Sequence, residues 1–273
     1  MRTTPSSFLR CLVAIGFVAS ATLTQAQDIQ ERVIKFGHLN NADHPVSLGV
    51  KRFAELVATK SGGKMKVQEF PSSTLGNELQ QQSALQGGVQ EMTAPATTSL
   101  AGIVREFGLV DFPFAVANFA QADALLDGPF GQALLARLPD KGLVSLGYWD
   151  LGFRNVTNSR RPITRAEDFN GLKLRVIPNP VFLETFKALK ANPVPMPFAE
   201  LYGALESRAV DGQENPLSVF VNARMHTLNQ KHLTLWGYAA DPLIFAVNRE
   251  VWQSWTPADR EAVRAAAVQA GAE

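Results

Sequence analysis

Residues 143–159 read LVSLGYWDLGFRNVTNS, an extended stretch that is unusually long for a single strand. Its glycines at positions 147 and 152 are places where a strand can bend or change sheets. A second long extended stretch runs from Leu233 to Asn248 and is predicted to break at Pro242. Two such segments predict two lobes that are joined by strands crossing between them.

Strand and helix patterns alternate in the first part of the chain. The spacing of apolar residues predicts strands over 32–39, 64–70 and 89–95 and helices over 44–63 and 77–86. This β-α-β-α-β order implies an α/β fold with a mostly parallel sheet and flanking helices. Ligands of such sheets bind beyond the carboxyl ends of the strands.

Further helices are predicted at 122–128, 130–138, 182–190 and 198–212, and a last one begins at Thr256. We therefore expect a two-lobed fold of the periplasmic-binding-protein kind, with long strands crossing the hinge. The expected first lobe comprises residues 27–151 plus 238–273, and the expected second lobe comprises residues 152–237.

The first 26 residues differ from the rest and have the pattern of a secretory signal peptide. Arg2 and Arg10 precede the apolar run CLVAIGFVASATL, and small residues lead to a predicted cut after Ala26. An uncleaved anchor is the alternative. The lone cysteine, Cys11, lies inside this segment, so the mature chain has no disulfide and no thiolate metal site. We expect an exported protein, most simply in a bacterial periplasm.

Composition excludes several classes of protein. The chain has 273 residues, of which 46% are hydrophobic and 19% charged, as in a globular protein. Without residues 1–26 the basic residues fall from 26 to 24, against 25 acidic residues. Neither a basic patch nor a charged run is present, so no nucleic-acid partner is expected.

Motifs of catalysis are missing from the sequence. There is no GxSxG elbow, no GxGxxG after a strand and no GxxxxGK[ST] phosphate loop. None of the four histidines belongs to an HExxH pair, and no carboxylate pair has a defined separation. We therefore expect no metal, no cofactor and no enzyme activity, and the balance moves toward binding.

Arginines stand beside strand ends in the second predicted lobe. In GLKLRVIPNP (171–180), Arg175 lies opposite the Leu/Val stripe of a short strand that is closed by prolines, and Arg154 lies on the long strand. Two guanidinium forks can hold a carboxylate in a way that a lysine cannot. The alternative that spacing alone leaves open is that both pair with surface carboxylates such as Asp150 or Glu167.

Several spaced motifs resemble one known family, that of the DctP-type solute-binding proteins of TRAP transporters. The resemblance covers nearly the whole mature chain. It is carried by FPSSTLGNE (70–78), DFPF (111–114), LGYWDLGFRNVTNSRRPI (146–163), DFNGLKLRVIPN (168–179), PVPMPFAELYGALESRAVDGQENP (193–216) and HLTLWGY (232–238).

The resemblance implies a two-lobed protein that closes on a small organic acid and delivers it to the permease subunits of the membrane transporter. It implies that Arg175 forms the salt bridge to the ligand carboxylate, that Arg154 adds a second contact and that Asn215 helps to orient the carboxylate. The other implied ligand contacts are Phe198, Glu78, Asn40 and, with a weaker match, Asn179.

Two departures from the family pattern alter the expectations. Tyr238 stands where members often have a histidine, and we expect it to meet the distal end of the ligand. Members usually continue some tens of residues beyond a sequence such as WTPADREAVRAAAVQAG, so we expect either a piece of a longer chain or a short version of the fold.

A monomer is expected. An exported enzyme acting on a carboxylate, or a ligand sensor for a membrane receptor, is the alternative function.

Overall fold

The structure is a computed structural model that describes residues 28–273; the predicted signal peptide lies outside the described residues. The strands are β1 (Arg32–Gly37), β2 (Met65–Phe70), β3 (Met92–Thr93), β4 (Leu143–Asn158), β5 (Lys173–Val176), β6 (Asn192–Pro195), β7 (Gly212–Pro216), β8 (His232–Thr234) and β9 (Ala240–Asn248). The α-helices are α1 (Pro45–Lys60), α2 (Glu78–Gln86), α3 (Thr97–Leu100), α4 (Phe119–Leu126), α5 (Pro129–Leu135), α6 (Pro180–Ala188), α7 (Phe198–Glu206), α8 (Leu217–Asn222), α9 (Arg249–Ser254) and α10 (Pro257–Ala272). None of the helices within residues 28–273 combines the length and apolar character needed to cross a bilayer.

Strand β4 belongs to two groups of strands at once. Its first part pairs antiparallel with β9, and its last part, from Arg154 onward, pairs antiparallel with β7 and β8. The two register shifts of the β4–β9 ladder bracket Gly147 and Gly152, whose φ angles are 138° and 120°. The prediction that these glycines let the strand bend and change partners is therefore confirmed.

The two-lobed α/β fold predicted from the sequence is confirmed by this arrangement. We call β1–β3 and β9 with α1–α5, α9 and α10 the first lobe, and β5–β8 with α6–α8 the second lobe; β4 runs through both. The sheet order is β2-β1-β3-β9-β4-β7-β5-β6. Pairing is parallel among the outer strands of each lobe and antiparallel around β4 and β9. The exact lobe boundaries in sequence stay a prediction.

Each lobe encloses its own buried apolar cluster. In the first lobe the rings of Phe53 and Phe245 meet edge to face with centroids 4.7 Å apart, beneath α1 and α10. In the second lobe Phe182 and Phe186 of α6 pack against the strands. Separate apolar clusters therefore stabilise the two lobes.

Capping side chains fix the N-terminal ends of two helices of the first lobe. Asn77 and Gln80 form a reciprocal capping box at the start of α2. Thr256 and Asp259 do the same for α10, as predicted, and Asp259 also accepts a bond of 2.9 Å from Arg32 at the start of β1. That pair ties α10 to the first lobe's sheet.

Several predicted elements differ from those observed, and the stretch predicted as extended from 233 to 248 is divided into β8 and β9. Strand β3 has two residues instead of seven. Helix α7 stops at Glu206 because Arg208 takes a left-handed conformation with φ 58°. The predicted break at Pro242 is wrong: Pro242 lies within β9, opposite Asp150 and next to the second register shift, where the ladder tolerates a residue without an N–H group.

Candidate ligand-binding site

A cleft lined by residues of both lobes lies between them. The first lobe lines it with the segment after β1 and with residues of α2 and α3. The second lobe contributes residues of β4, β5, β7 and α7. Asn40 and Ile177 stand just beyond the carboxyl ends of the parallel strands β1 and β5, the position predicted for ligands of such sheets.

The guanidinium of Arg175 is fully buried but only partly used. Its Nε donates to the carbonyl oxygen of Met196 at 3.0 Å, whereas Nη1 and Nη2 have no hydrogen-bond partner within the described part of the chain. Oε1 of Glu78 lies 3.9 Å from Nη2, beyond hydrogen-bond range. Burial lowers the pKa of Arg175 to about 10, so it remains charged at neutral pH. A buried cation with two free terminal nitrogens can hold an anion through both.

The guanidinium of Arg154 is, in contrast, surrounded by protein acceptors. Its Nε and Nη2 donate to the carboxylate of Glu214 at 2.5 and 2.9 Å, and its Nη1 donates to Asp241. Burial alone lowers the pKa of Arg154, but Asp241 and Glu214 together raise it well above its ordinary value. Arg154 lines the cleft with its charge already balanced, so it braces β4 against β7 and β9.

Most of the residues predicted from the sequence meet in this cleft. Both arginines are buried, so the alternative that they form surface pairs with Asp150 or Glu167 is wrong. The direct ligand contacts of the lining residues stay a prediction. The predicted residues that line the cleft are Arg175, Arg154, Asn215, Phe198, Glu78 and Asn40.

Asn179 and Tyr238 do not line the cleft, which corrects the expectation for both. The Nδ2 of Asn179 donates to the carbonyl oxygen of Thr98 at 2.9 Å and to Asp111 at 2.7 Å, and its Oδ1 caps α6. The side chain thus joins the lobes and has no free hydrogen for a ligand. Tyr238 is buried behind the site, where its hydroxyl donates to Glu214 at 2.7 Å.

Polar residues that were not predicted also line the cleft, beside apolar ones such as Leu151 and Leu243. Gln82 of α2 and Thr98 of α3 each carry a buried oxygen, Oε1 and Oγ1, without a hydrogen-bond partner among the described residues. Oδ1 of Asp241 is likewise buried and lacks a hydrogen-bond partner among the described residues. Gln82 is one helical turn beyond Glu78, so the helix period indicated it; nothing in the sequence singles out Thr98.

The lobes also touch at the rim of the cleft. Nδ2 of Asn41, in the loop after β1, donates to the carbonyl oxygen of Asn222 at the end of α8, at 3.0 Å. Within residues 28–273 no group of three or more His, Cys, Asp or Glu side chains is arranged to hold a metal ion. The site thus combines polar and apolar side chains around the guanidinium of Arg175.

Two α/β lobes around a buried guanidinium, whose terminal nitrogens make no hydrogen bond to the described residues, are typical of a binding protein for small anions. The family of bacterial extracellular solute-binding proteins, family 7 (DctP), matches residues 36–273, and the chain belongs to this family of TRAP transporter solute-binding proteins. Members of the family are periplasmic.

Similar proteins include ligand-bound structures. The chain is 35% identical to the 2,3-diketo-L-gulonate-binding periplasmic protein YiaO of Escherichia coli K12, over 96% of this chain and 80% of that one. The sugar acid binding protein DctPAm of Advenella mimigardefordensis, in complex with galactonate, is 42% identical with a TM-score of 0.88, over 90% and 79% of the two chains. A TRAP solute-binding protein of Sulfurospirillum deleyianum with bound succinate is 32% identical with a TM-score of 0.86, over 89% and 78%.

Proposed function

We propose that this protein captures a hydroxylated monocarboxylate in the periplasm and delivers it, as a monomer, to the membrane permease subunits of a TRAP transporter. The observation that supports the proposal is the buried Arg175, whose Nη1 and Nη2 lack partners among the described residues. A buried donor left without a hydrogen bond costs about 1–3 kcal/mol, so a ligand carboxylate that accepts from both nitrogens relieves this penalty.

The hydroxylated body of the ligand is inferred from the rest of the lining. The free oxygens of Gln82, Thr98 and Asp241 can accept hydrogen bonds from hydroxyl groups, and the cleft is otherwise apolar around Leu151 and Leu243. Buried acceptors without donors favour a ligand that supplies several O–H groups. Relatives that bind galactonate and 2,3-diketo-L-gulonate support the same class of ligand.

Capture proceeds by closure of one lobe on the other. In this proposal the lobes divide at residues 151/152 and 237/238, and the ligand carboxylate first engages Arg175 in the second lobe. First-lobe groups such as Asn40 and Gln82 then contact the hydroxyl groups. Closure follows because these contacts exist only in the closed state, so the ligand stabilises that state selectively.

Arg175→Lys and Arg175→Ala should both weaken binding of the acid by about tenfold or more, because neither replacement offers the paired fork. A thermal-shift screen over sugar acids identifies the ligand, and isothermal titration calorimetry then measures each variant. Arg137, an exposed arginine paired with Glu106 away from the cleft, provides matched Arg137→Lys and Arg137→Ala controls. Near-native affinity in both Arg175 variants would contradict the proposal, and turnover of a bound acid would indicate an enzyme.

A further inference from the structure

Glu78 reaches across the cleft and caps a helix of the opposite lobe. It is the first residue of α2, and its carboxylate accepts the backbone N–H of Phe198 at 3.0 Å through Oε1 and 3.2 Å through Oε2. Phe198 begins α7, whose N-cap residue is Pro197 and makes no side-chain cap of its own. A carboxylate at a helix N-terminus is held by the free N–H groups and by the helix dipole.

This held carboxylate stands beside the free end of Arg175. Oε1 of Glu78 is 3.9 Å from Nη2, too far to occupy the guanidinium fork and close enough to fix a negative charge next to it. The Glu78 side chain is 8% exposed, so solvent screens this charge weakly. Any carboxylate bound to Arg175 therefore has Glu78 as a close neighbour.

Among the described residues that line the cleft, none offers a free cation for a second ligand carboxylate. Among the lining residues that the structure describes, the basic side chains besides Arg175 are Arg154, balanced by Glu214 and Asp241, and His38. Burial has the larger effect on the pKa of His38 and lowers it, although contact with Glu69 raises it. The lowered pKa favours the neutral ring.

We propose that Glu78 makes this cleft selective for monocarboxylates over dicarboxylates of the same carbon skeleton. The inference rests on the proposed function and adds the residue that sets the charge of the accepted ligand. One carboxylate is matched by Arg175. A second one lies in a poorly screened cleft with the fixed charge of Glu78 and without a free partner, so repulsion lowers its affinity.

The substitution Glu78→Gln tests the negative charge of Glu78 separately from its hydrogen bond to Phe198. The amide oxygen can still accept the N–H of Phe198, so the interlobe cap survives while the negative charge is removed. We expect wild-type protein to bind galactonate more tightly than galactarate, and erythronate more tightly than tartrate, by about tenfold or more. In Glu78→Gln the diacids should gain more than the monoacids, and the ratio within each pair should shrink by about fivefold or more.

The matched control is Glu200→Gln, which removes one negative charge from the exposed face of the first turn of α7. It should leave both ratios unchanged. Glu78→Ala should shrink the ratios like Glu78→Gln but also weaken monoacid binding, because the cap is lost. Equal wild-type affinities within each pair, or ratios that Glu78→Gln does not move, would overturn the selectivity role alone. Wild-type protein that binds none of a broad set of acids would overturn the proposed function itself.

Discussion

Asp111 is a buried carboxyl group at the junction of the lobes. Its Oδ2 accepts the Nδ2 hydrogen of Asn179 at 2.7 Å, and its Oδ1 has no partner within residues 28–273. Burial raises the pKa of Asp111 to about 7; the bond from Asn179 opposes this, Asp241 and Glu214 add to it and Arg154 opposes it. Between about pH 4 and pH 7, the carboxyl group of Asp111 is therefore protonated in the folded protein but ionised in the unfolded chain.

The sign of the pH dependence follows from this difference. Since the folded state binds more protons than the unfolded state in that window, Asp111 lowers the free energy of unfolding as pH rises from about 4 to about 7. We expect Asp111→Asn to be more stable than wild type at pH 8, by up to about 4 kcal/mol, and to differ less at pH 4.

Urea unfolding at pH 4, 6 and 8 measures this effect. Asp140→Asn, a change at an exposed position, should follow the wild-type curve. Curves of wild type and Asp111→Asn that run parallel over the whole range would show that Asp111 does not carry the pH dependence.

The two arginines of the cleft show how much of the site can be predicted from the sequence at the scale of single residues. The motifs around the two arginines predicted Arg175 as the anchor of the carboxylate and Arg154 as a second contact, and both side chains do reach one cleft. Which of them is free depends on Glu214 and Asp241, which lie 60 and 87 positions from Arg154 in the chain. Partners so remote become neighbours only through the packing of β4 between β7 and β9, which residue spacing does not encode.

At the scale of elements, β4 was the most predictable feature. Its length and its two glycines indicated a strand that changes partners, and the pairing with β9 and then with β7 and β8 follows that prediction. The two-residue β3 was not predictable at this length, because β-propensity specifies a half-buried surface and not the extent of pairing. The predicted break at Pro242 was wrong because a strand tolerates a proline where the ladder needs no N–H group. That condition depends on the register shift in the neighbouring strand β4.

Gly152 adopts an unusual backbone conformation at the second register shift of β4. Its φ of 120° is a region that residues with a Cβ rarely adopt, and an added Cβ would meet Cβ of Pro216 at 3.2 Å. We expect Gly152→Ala to lower the free energy of unfolding by about 1–3 kcal/mol, measured by urea denaturation.

Gly203→Ala is the matched control for that change. Gly203 lies inside α7, and an added Cβ there has no heavy atom within 4 Å among the described residues. The variant should be as stable as wild type or more stable by about 0.5–1 kcal/mol, because alanine favours the helix. A Gly152→Ala protein with wild-type stability would mean that β4 can bend without the left-handed residue.

At the scale of the whole molecule, the structure has the lobes in contact on several sides of the cleft. Asn179 joins them through Thr98 and Asp111, Glu78 through Phe198. In the proposed closure such contacts form only as the lobes come together, so they add to the ligand's own contribution. The affinity measured for a ligand then depends on residues that never touch it.

Asn41 tests this dependence, because its bond of 3.0 Å to the carbonyl oxygen of Asn222 spans the rim and the residue does not line the main cleft. We expect Asn41→Ala to weaken ligand binding by about two- to tenfold, the worth of one neutral hydrogen bond, and to leave the free protein more extended in solution scattering. Asn192→Ala, which removes an amide within the second lobe alone, should bind like wild type. If both variants lose affinity equally, or neither does, the rim contact does not contribute to closure, and the energy of capture must come from the cleft itself.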